Sequence, residues 1–152
     1  MTPQAIRQTL YPKAMKLLIV GCGRVGSGIA ARMADMGHEV SVIDEDPEAL
    51  QRLPEDWPGQ FIHGHGLELG VLKEGGIETA DAVVVATSGD NTNLVIAQIA
   101  QTRFQAPCVV TRVLDPARAA FYETLGLQTV CPTSGAIDQA TNAICATPGR
   151  VG

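Results

Sequence analysis

Residues 16–44 read KLLIVGCGRVGSGIAARMADMGHEVSVID, and this stretch decides the fold. It begins with a short apolar run, 16–20, which is typical of a strand buried on both faces of a sheet. Apolar residues then recur at helical spacing over 25–36, and Gly37 is a stop signal for that helix. A second apolar run, 40–43, predicts the next strand. A strand, a helix and a strand in this order predict a βαβ unit with parallel strands.

The rest of the chain repeats the alternation of strand and helix. Further strands are predicted at 61–62, 82–86, 108–113 and 129–131, and helices at 47–53, 67–73, 91–103, 116–125 and 134–146. Asp46 and Asp90 are the expected N-caps of the helices that begin at 47 and 91. Six strands alternating with helices predict an α/β fold, a Rossmann-like, doubly wound parallel sheet with strand order 3-2-1-4-5-6. We assign residues 1–15 to a flexible lead-in, 16–146 to the Rossmann domain and 147–152 to a tail.

The composition excludes several classes of protein. The 152 residues are 45% hydrophobic and 18% charged, which is typical of one globular domain. With 11 basic against 16 acidic side chains the net charge is −5, and only 4% of residues are aromatic, so the chain is poorly suited to binding nucleic acid. No apolar run is long enough to span a membrane, no secretory signal is evident, and no two cysteines form a C-x-x-C pair. We therefore expect a cytoplasmic protein that does not insert into a membrane.

The turn after the first strand is GCGRVG at 21–26, a G-x-G-x-x-G pattern that follows a strand and opens a helix. In this context the pattern indicates a loop that holds the phosphates of a nucleotide. Gly21 permits the tight turn, Gly23 lets the backbone approach the phosphates, and Gly26 lets the helix pack on the strand. The helix N-terminus adds free N–H groups and the positive end of its dipole. All six residues are candidates for cofactor binding: Gly21, Cys22, Gly23, Arg24, Val25 and Gly26.

An acidic residue ends the second strand. Asp44 stands eighteen residues after Gly26, where an acid accepts hydrogen bonds from the ribose of an adenosine. Glu45 and Asp46 follow it, and the alternative for this stretch is a solvated acidic turn that caps the next helix. Three carboxylates repel a 2′-phosphate, and the sequence shows no arginine beside them to accept one, so we expect NADP to be disfavoured. Asp44 and Glu45 are candidates for cofactor binding.

Polar side chains also follow strands three, four and five. Thr87, Ser88 and Asn93 lie in the loop after the fourth strand, at the point where the strand order reverses and ligands bind; the alternative is ordinary turn and cap chemistry. Arg112 ends the fifth strand and is a candidate phosphate ligand, or alternatively a member of a surface ion pair. His65 is expected to edge the adenine pocket. No third ligand accompanies the histidines at metal-like spacing, so we expect no metal site.

The sequence resembles a known family over about residues 15–146. The resemblance is carried by residues 16–50, by AVVVAT at 82–87, DNTN at 90–93 and TRVLDP at 111–116, and by Gly126 and 130–132. These motifs resemble the nucleotide-binding domain of the Trk/Ktr potassium-uptake regulators, also called the RCK or KTN N-terminal domain. Related domains control the conductance of potassium channels.

The resemblance implies a ligand-gated regulatory module rather than an enzyme. Such domains bind ATP and ADP, or NAD⁺ and NADH, form homodimers or higher rings, and pass a conformational change to a membrane-embedded potassium channel or transporter. The resemblance further implies that Arg24 reaches a terminal phosphate or the neighbouring subunit, and that the last helix crosses to a partner. Two departures stand out: His65 replaces the family's usual aspartate, and Thr133 stands where some members carry a metal-binding glutamate.

Two other functions fit a Rossmann unit. One is a small NAD-dependent dehydrogenase of the siroheme-synthesis type, although nothing after residue 133 supplies an acid or base for a substrate. The other is a redox-sensing module that reports the NADH/NAD⁺ ratio to another protein.

Overall fold

The apolar run that opens the domain forms β1 (Lys16–Val20), and its last four residues are buried. In this computed structural model, which describes residues 13–150, β1 lies between β2 (Glu39–Asp44) and β4 (Ala82–Val85) and pairs with both in parallel. The remaining strands are β3 (Gln60–His63), β5 (Cys108–Arg112) and β6 (Gln128–Val130). The strand order is β3-β2-β1-β4-β5-β6 and every pairing is parallel, which confirms the predicted Rossmann-like, doubly wound α/β fold.

Helices connect the strands. They are α1 (Arg24–Asp35), α2 (Leu69–Glu74), α3 (Asp90–Gln98), α4 (Pro116–Thr124) and α5 (Pro132–Ala146), together with a 3₁₀ helix at Pro47–Arg52. The predicted cap of the 3₁₀ helix is confirmed, because the Asp46 side chain accepts a hydrogen bond from the backbone N–H of Glu48 at 2.9 Å. Each predicted strand and helix is present, with ends within two residues of the prediction except in the helix predicted at 91–103, where α3 ends at Gln98.

Helix α3 differs from its prediction in two ways. Its N-cap is Gly89 and not Asp90, which is the first helical residue. The Asp90 carboxylate instead accepts hydrogen bonds from the backbone N–H groups of Leu114 and Asp115, because these groups in the loop after β5 need an acceptor. The predicted helix 91–103 is also not uniform, since its last five residues form a π-helical turn.

The core lies on both faces of the sheet. Alternate residues of β1 point to opposite faces, as in any strand. Leu18 and Val20 join the core beneath α2, α3 and α4, whereas Leu17 and Ile19 join the core beneath α1 and the 3₁₀ helix. The central strands β1 and β4 therefore carry apolar residues at consecutive positions, which explains why the sequence shows runs there and not alternation.

The last helix lies outside this core. None of the fifteen residues of α5 is buried, and Ile137 and Ile144 are 56% and 73% exposed. Within residues 13–150, no helix is both long enough and apolar enough to cross a membrane. The proposed lead-in falls largely outside the described residues, as do the last two residues of the proposed tail, so the domain limits remain predictions.

Two glycines allow α1 to start directly against the sheet. Gly21 has a φ of +104°, and a side chain there would lie 2.5 Å from the backbone oxygen of Ala86. Gly26 lies in the first turn of α1, where a Cβ atom would stand 1.8 Å from the backbone oxygen of Gly21. The glycine spacing thus fixes how closely the first helix approaches the first strand.

We predict opposite effects of alanine at two glycines of α1. Gly26→Ala forces the helix away from Gly21 and should lower the free energy of unfolding by at least about 3 kcal/mol. Gly28→Ala has no heavy atom within 4 Å of the added carbon and should raise that free energy by about 0.5–1 kcal/mol through helix propensity. Urea unfolding followed by circular dichroism measures both, and equal effects at the two positions contradict the packing account.

Candidate functional site

A cavity of about 450 Å³ opens at the carboxyl ends of the central strands. In this strand order the chain leaves β1 and β4 in opposite directions, which creates a crevice where α/β proteins bind ligands. The wall residues are Val20, Gly21, Gly23, Ile43, Asp44, Glu45, Asp46, Arg52, Gly64, His65, Gly66, Ala86, Thr87, Ser88, Gly89, Thr92, Ile96 and Arg112. The cavity therefore has a floor of strand ends and polar loops on both sides.

The glycine turn presents backbone and not side chains to the cavity. Gly23 is the N-cap of α1 and has no side chain to satisfy the first N–H groups of the helix. These groups lack intrahelical partners and carry the positive end of the helix dipole, so they suit an anion. Gly21 and Gly23 both lie on the wall. This part of the site can bind phosphate oxygens without any positively charged side chain.

The Asp44 carboxylate ties the glycine turn to the end of β2. One oxygen accepts a hydrogen bond from the backbone N–H of Cys22 at 2.7 Å, and the other accepts from the N–H of Asp46 at 2.8 Å. Each carboxylate oxygen has a second lone pair, so Asp44 can still accept hydrogen bonds from a ligand. Asp44 is half-buried on the cavity wall, where it faces the space beside the glycine turn.

Two histidines hold Glu45 at the rim of the cavity. His65 Nδ1 accepts a hydrogen bond from the backbone N–H of Leu67, which leaves Nε2 facing the Glu45 carboxylate at 3.4 Å. His63 Nε2 lies 3.0 Å from the Glu45 carbonyl oxygen. The loops after β2 and β3 are thereby joined on this side. His65 lies on the cavity wall, with its ring beside the Glu45 carboxylate.

The loop after β4 is fixed from behind by Asn93. This side chain is fully buried, and its amide bonds the backbone of both Thr87 and Arg112. Arg112 lies on the wall and its Nη2 donates to the Thr87 carbonyl oxygen. Asn93 itself does not reach the cavity, so it shapes this wall without lining it.

Arg52 lines the cavity and was missed by sequence reasoning. Its Nη1 donates to the Cys22 carbonyl oxygen at 3.2 Å, which places a cation between the glycine turn and the acidic residues after β2. The expectation that no arginine stands beside Asp44–Asp46 is therefore wrong. The signal was the helix start at Pro47, which turns the chain back over the glycine turn and brings residue 52 to the cavity.

The structure brings eight of the thirteen candidate residues to the cavity wall. These are Gly21, Gly23, Asp44, Glu45, His65, Thr87, Ser88 and Arg112. The other five are Cys22, Arg24, Val25, Gly26 and Asn93, which do not line it. Arg24 is exposed on α1, Val25 packs on the core, and Gly26 is buried against the turn.

The Cys22 thiol faces the core instead of the cavity. Its sulfur donates to the Ala49 carbonyl oxygen at 3.4 Å and is fully buried. The pKa of the thiol is raised from 9.0 to about 11, mainly by burial and further by the Asp44 carboxylate, while the Arg52 guanidinium partly opposes both effects. The thiol is therefore protonated at neutral pH. Within residues 13–150, no three His, Cys, Asp or Glu side chains are grouped as a metal would require.

Sequence comparison relates the chain to potassium uptake proteins. The family model for the TrkA-N domain matches residues 17–133. The Trk system potassium uptake protein TrkA of Streptomyces coelicolor is 41% identical over 125 residues, which cover 82% of this chain and 56% of that protein. The protein of the same name from Vibrio alginolyticus is 32% identical over 111 residues, covering 73% of this chain and 24% of that one. The chain thus spans about half, or less, of the length of these relatives, which are not named as enzymes.

Solved structures share the fold at low sequence identity. The Shewanella denitrificans Kef C-terminal domain in its AMP-bound form superposes with a TM-score of 0.70 at 21% identity, covering 86% of this chain and 80% of that chain. GsuK bound to ADP gives 0.73 at 18% identity, with 91% of this chain and 36% of that chain covered. The GsuK channel bound to NAD gives 0.64 at 17% identity, with 79% and 22% covered.

We predict that Cys22 resists thiol reagents in the folded protein. With a pKa of about 11, only about 0.1% of the thiol is ionised at pH 8, and the sulfur is also shielded. Cys145, which is exposed on α5, is the internal reference. Labelling with a disulfide reagent followed by peptide mass spectrometry should show Cys145 modified first and Cys22 only after unfolding in urea. Equal labelling rates in the native state contradict this environment for Cys22.

Proposed function

The chain belongs to the TrkA-N domain family, and on that premise we propose that it is a regulatory domain of a potassium channel or transporter that binds an adenine nucleotide. The ligand is NAD(H) or ATP/ADP, and the domain acts on ion flux through a change of conformation and not through catalysis. It works in the cytoplasm, at the membrane through a membrane-embedded partner. The observation that carries this proposal is the meeting of Asp44 and the glycine turn on one cavity wall.

The cavity supports the nucleotide through complementary chemistry. The backbone N–H groups at the start of α1 bind phosphates, and the free lone pairs of Asp44 accept the ribose hydroxyls. Glu45 and Asp46 add negative charge beside the ribose, which disfavours a 2′-phosphate even with Arg52 nearby. Solved structures with the same fold hold AMP, ADP and NAD, which agrees with a nucleotide in this crevice.

A second copy of the chain is the partner proposed for α5. This helix contains only one charged residue, Asp138, and its apolar residues face outward. Phe121 and Val130, which are 57% and 48% exposed, extend the apolar surface toward α4 and β6. Exposed apolar surface of this kind marks an interface, and identical chains most often associate as symmetric dimers. The domain accordingly works as a homodimer or as part of a larger ring.

Regulation follows from differential affinity. A nucleotide shifts the conformation of the assembly only if it binds one conformer more tightly than the other. Two nucleotides that compete for this cavity and contact its walls differently therefore favour different conformers. The conformer then biases the membrane-embedded partner, which carries the ions.

We predict that Asp44→Ala lowers the affinity for every adenine nucleotide by at least about tenfold. The substitution removes a charged acceptor for the ribose hydroxyls, and hydrogen bonds to charged groups contribute about 1.5–3 kcal/mol. Calorimetric titration of AMP, ADP and NAD⁺ measures the change, with Asp56→Ala as a matched control on an exposed turn away from the cavity. Unchanged affinity for all three nucleotides would show that Asp44 does not bind the ribose.

We predict that a charge on α5 dissociates the dimer. Ile137→Glu places a carboxylate in the proposed interface, which should raise the dissociation constant at least about tenfold because a buried unpaired charge is unfavourable. Sedimentation velocity over a range of protein concentrations measures this constant. The control is Val95→Glu, which changes a residue of α3 that is 46% exposed. A monomeric wild-type chain, or equal effects of both substitutions, argues against a dimer through α5.

A further inference from the structure

We propose that the β5 end of the cavity is an anion subsite that selects nucleoside di- and triphosphates over NAD⁺. Arg112 is the specificity-determining residue of this subsite, and Asn93 is the positioning residue that holds it. The inference rests on the proposed nucleotide binding and goes beyond it by naming the class of ligand. It follows from the bonding of the Arg112 side chain and from the distribution of charge around the cavity.

The Arg112 guanidinium has no anionic partner in the part of the chain that the structure describes. Its hydrogen bond there runs from Nη2 to the Thr87 carbonyl oxygen, and its Nε is buried with no acceptor. The ion pairs among residues 13–150 join His65 to Glu45 and Arg118 to Asp115, so neither involves Arg112. A partly buried cation without a counter-charge is unfavourable, and an anionic ligand in the cavity relieves that cost.

The carboxylates of the cavity and the Arg112 guanidinium lie at opposite ends of the sheet, while Arg52, on the carboxylate side, bonds the glycine turn. Asp44, Glu45 and Asp46 follow β2, whereas Arg112 ends β5, and β1 and β4 lie between them. With about 4.8 Å between neighbouring strands, the two ends of the cavity are about 14 Å apart. A nucleotide whose ribose contacts Asp44 and whose first phosphate lies on the glycine turn extends toward Arg112.

This direction distinguishes two kinds of ligand. The terminal phosphates of a nucleoside di- or triphosphate bring negative charge to the guanidinium, which can form short, charge-assisted hydrogen bonds with them. NAD⁺ brings a second ribose and a positively charged nicotinamide ring to the same place. The ring and the guanidinium repel each other, and no carboxylate lies within ion-pair distance of Arg112 among the described residues to offset the repulsion.

Asn93 fixes the direction of the guanidinium. Its Oδ1 accepts hydrogen bonds from the backbone N–H and the hydroxyl of Thr87, and its Nδ2 donates to the carbonyl oxygens of Thr87 and Arg112 at 3.0 Å each. The Thr87 carbonyl oxygen therefore accepts from both Asn93 and the Arg112 side chain. Because Asn93 is fully buried, it acts on a ligand only through these two residues.

The test is a set of calorimetric titrations with AMP, ADP, ATP and NAD⁺. The wild-type chain should bind ADP at least tenfold more tightly than NAD⁺. Arg112→Gln should lower the affinity for ADP and ATP by at least tenfold, and the affinity for AMP and NAD⁺ by less than threefold. Arg112→Lys should restore part of the lost affinity because it returns the positive charge. Arg118→Gln removes a cation at the same end of the sheet but off the cavity wall, and it should change no affinity by more than twofold.

The ratio of the affinities for ADP and AMP tests the positioning role of Asn93. Asn93→Ala should lower the preference for ADP over AMP as far as Arg112→Gln does, and the double variant should lower it no further, because both changes act on one unit. If Asn93 only stabilises the fold, its substitution lowers the affinity for all nucleotides equally and leaves the ratio of the ADP and AMP affinities unchanged. Circular dichroism melting of each variant separates loss of fold from loss of affinity.

The possible failures are distinct. If no nucleotide binds the wild-type chain, the proposed function fails and this inference fails with it. If nucleotides bind but NAD⁺ binds as tightly as ADP, or Arg112→Gln weakens AMP as much as ADP, only the anion subsite is wrong. If Asn93→Ala does not fold, the affinities of the Arg112 variants alone test the anion subsite.

Discussion

The structure depends on the close approach of α1 to the end of β1. A helix can begin directly above a strand only where the turn between them carries no side chains at the contact, and Gly21 and Gly26 meet this condition. The same approach leaves the first N–H groups of α1 at the carboxyl edge of the sheet, uncapped by any side chain. Packing and ligand chemistry are therefore set by the same glycines. A substitution that disrupts the contact between helix and strand should also displace the backbone N–H groups that we propose bind phosphate.

Hydrogen bonds then fix the loops around that backbone. Asp44 joins the glycine turn to the loop after β2, Asn93 joins the loop after β4 to the end of β5, and Asp90 joins α3 to the loop after β5. Each of these side chains satisfies backbone N–H or C=O groups that the parallel sheet leaves free at its edge. Contacts within the chain thus shape the cavity, with three carboxylates and Arg52 on the side of β2 and Arg112 on the side of β5. Such a shape suits a ligand that has hydroxyl groups at one end and negative charge at the other.

Much of the fold and part of the site could be predicted from the sequence. The apolar runs and glycine stops gave all six strands and their order, because a parallel sheet covered on both faces requires such runs. Asp44 and the backbone of the glycine turn reached the cavity as expected, since their positions follow from the end of a strand. Sequence rules that consider only neighbouring residues did not predict the partner of a side chain that can bond either a neighbouring or a distant segment. Asp90 looked like a helix cap, but its carboxylate bonds a loop more than twenty residues away. Arg52 and Asn93 show the same limit, because the side that each occupies depends on how a distant segment packs.

The proposed role of the chain is that of a sensor whose output is a change of shape, and this role rests on the claim that the chain binds an adenine nucleotide. Isothermal titration calorimetry of the purified chain with AMP, ADP, ATP, NAD⁺ and NADH tests that claim most directly. The account predicts saturable binding of at least one of these ligands at one site per chain. The absence of detectable binding for all five at millimolar concentration, in a chain shown to be folded by circular dichroism, would contradict it.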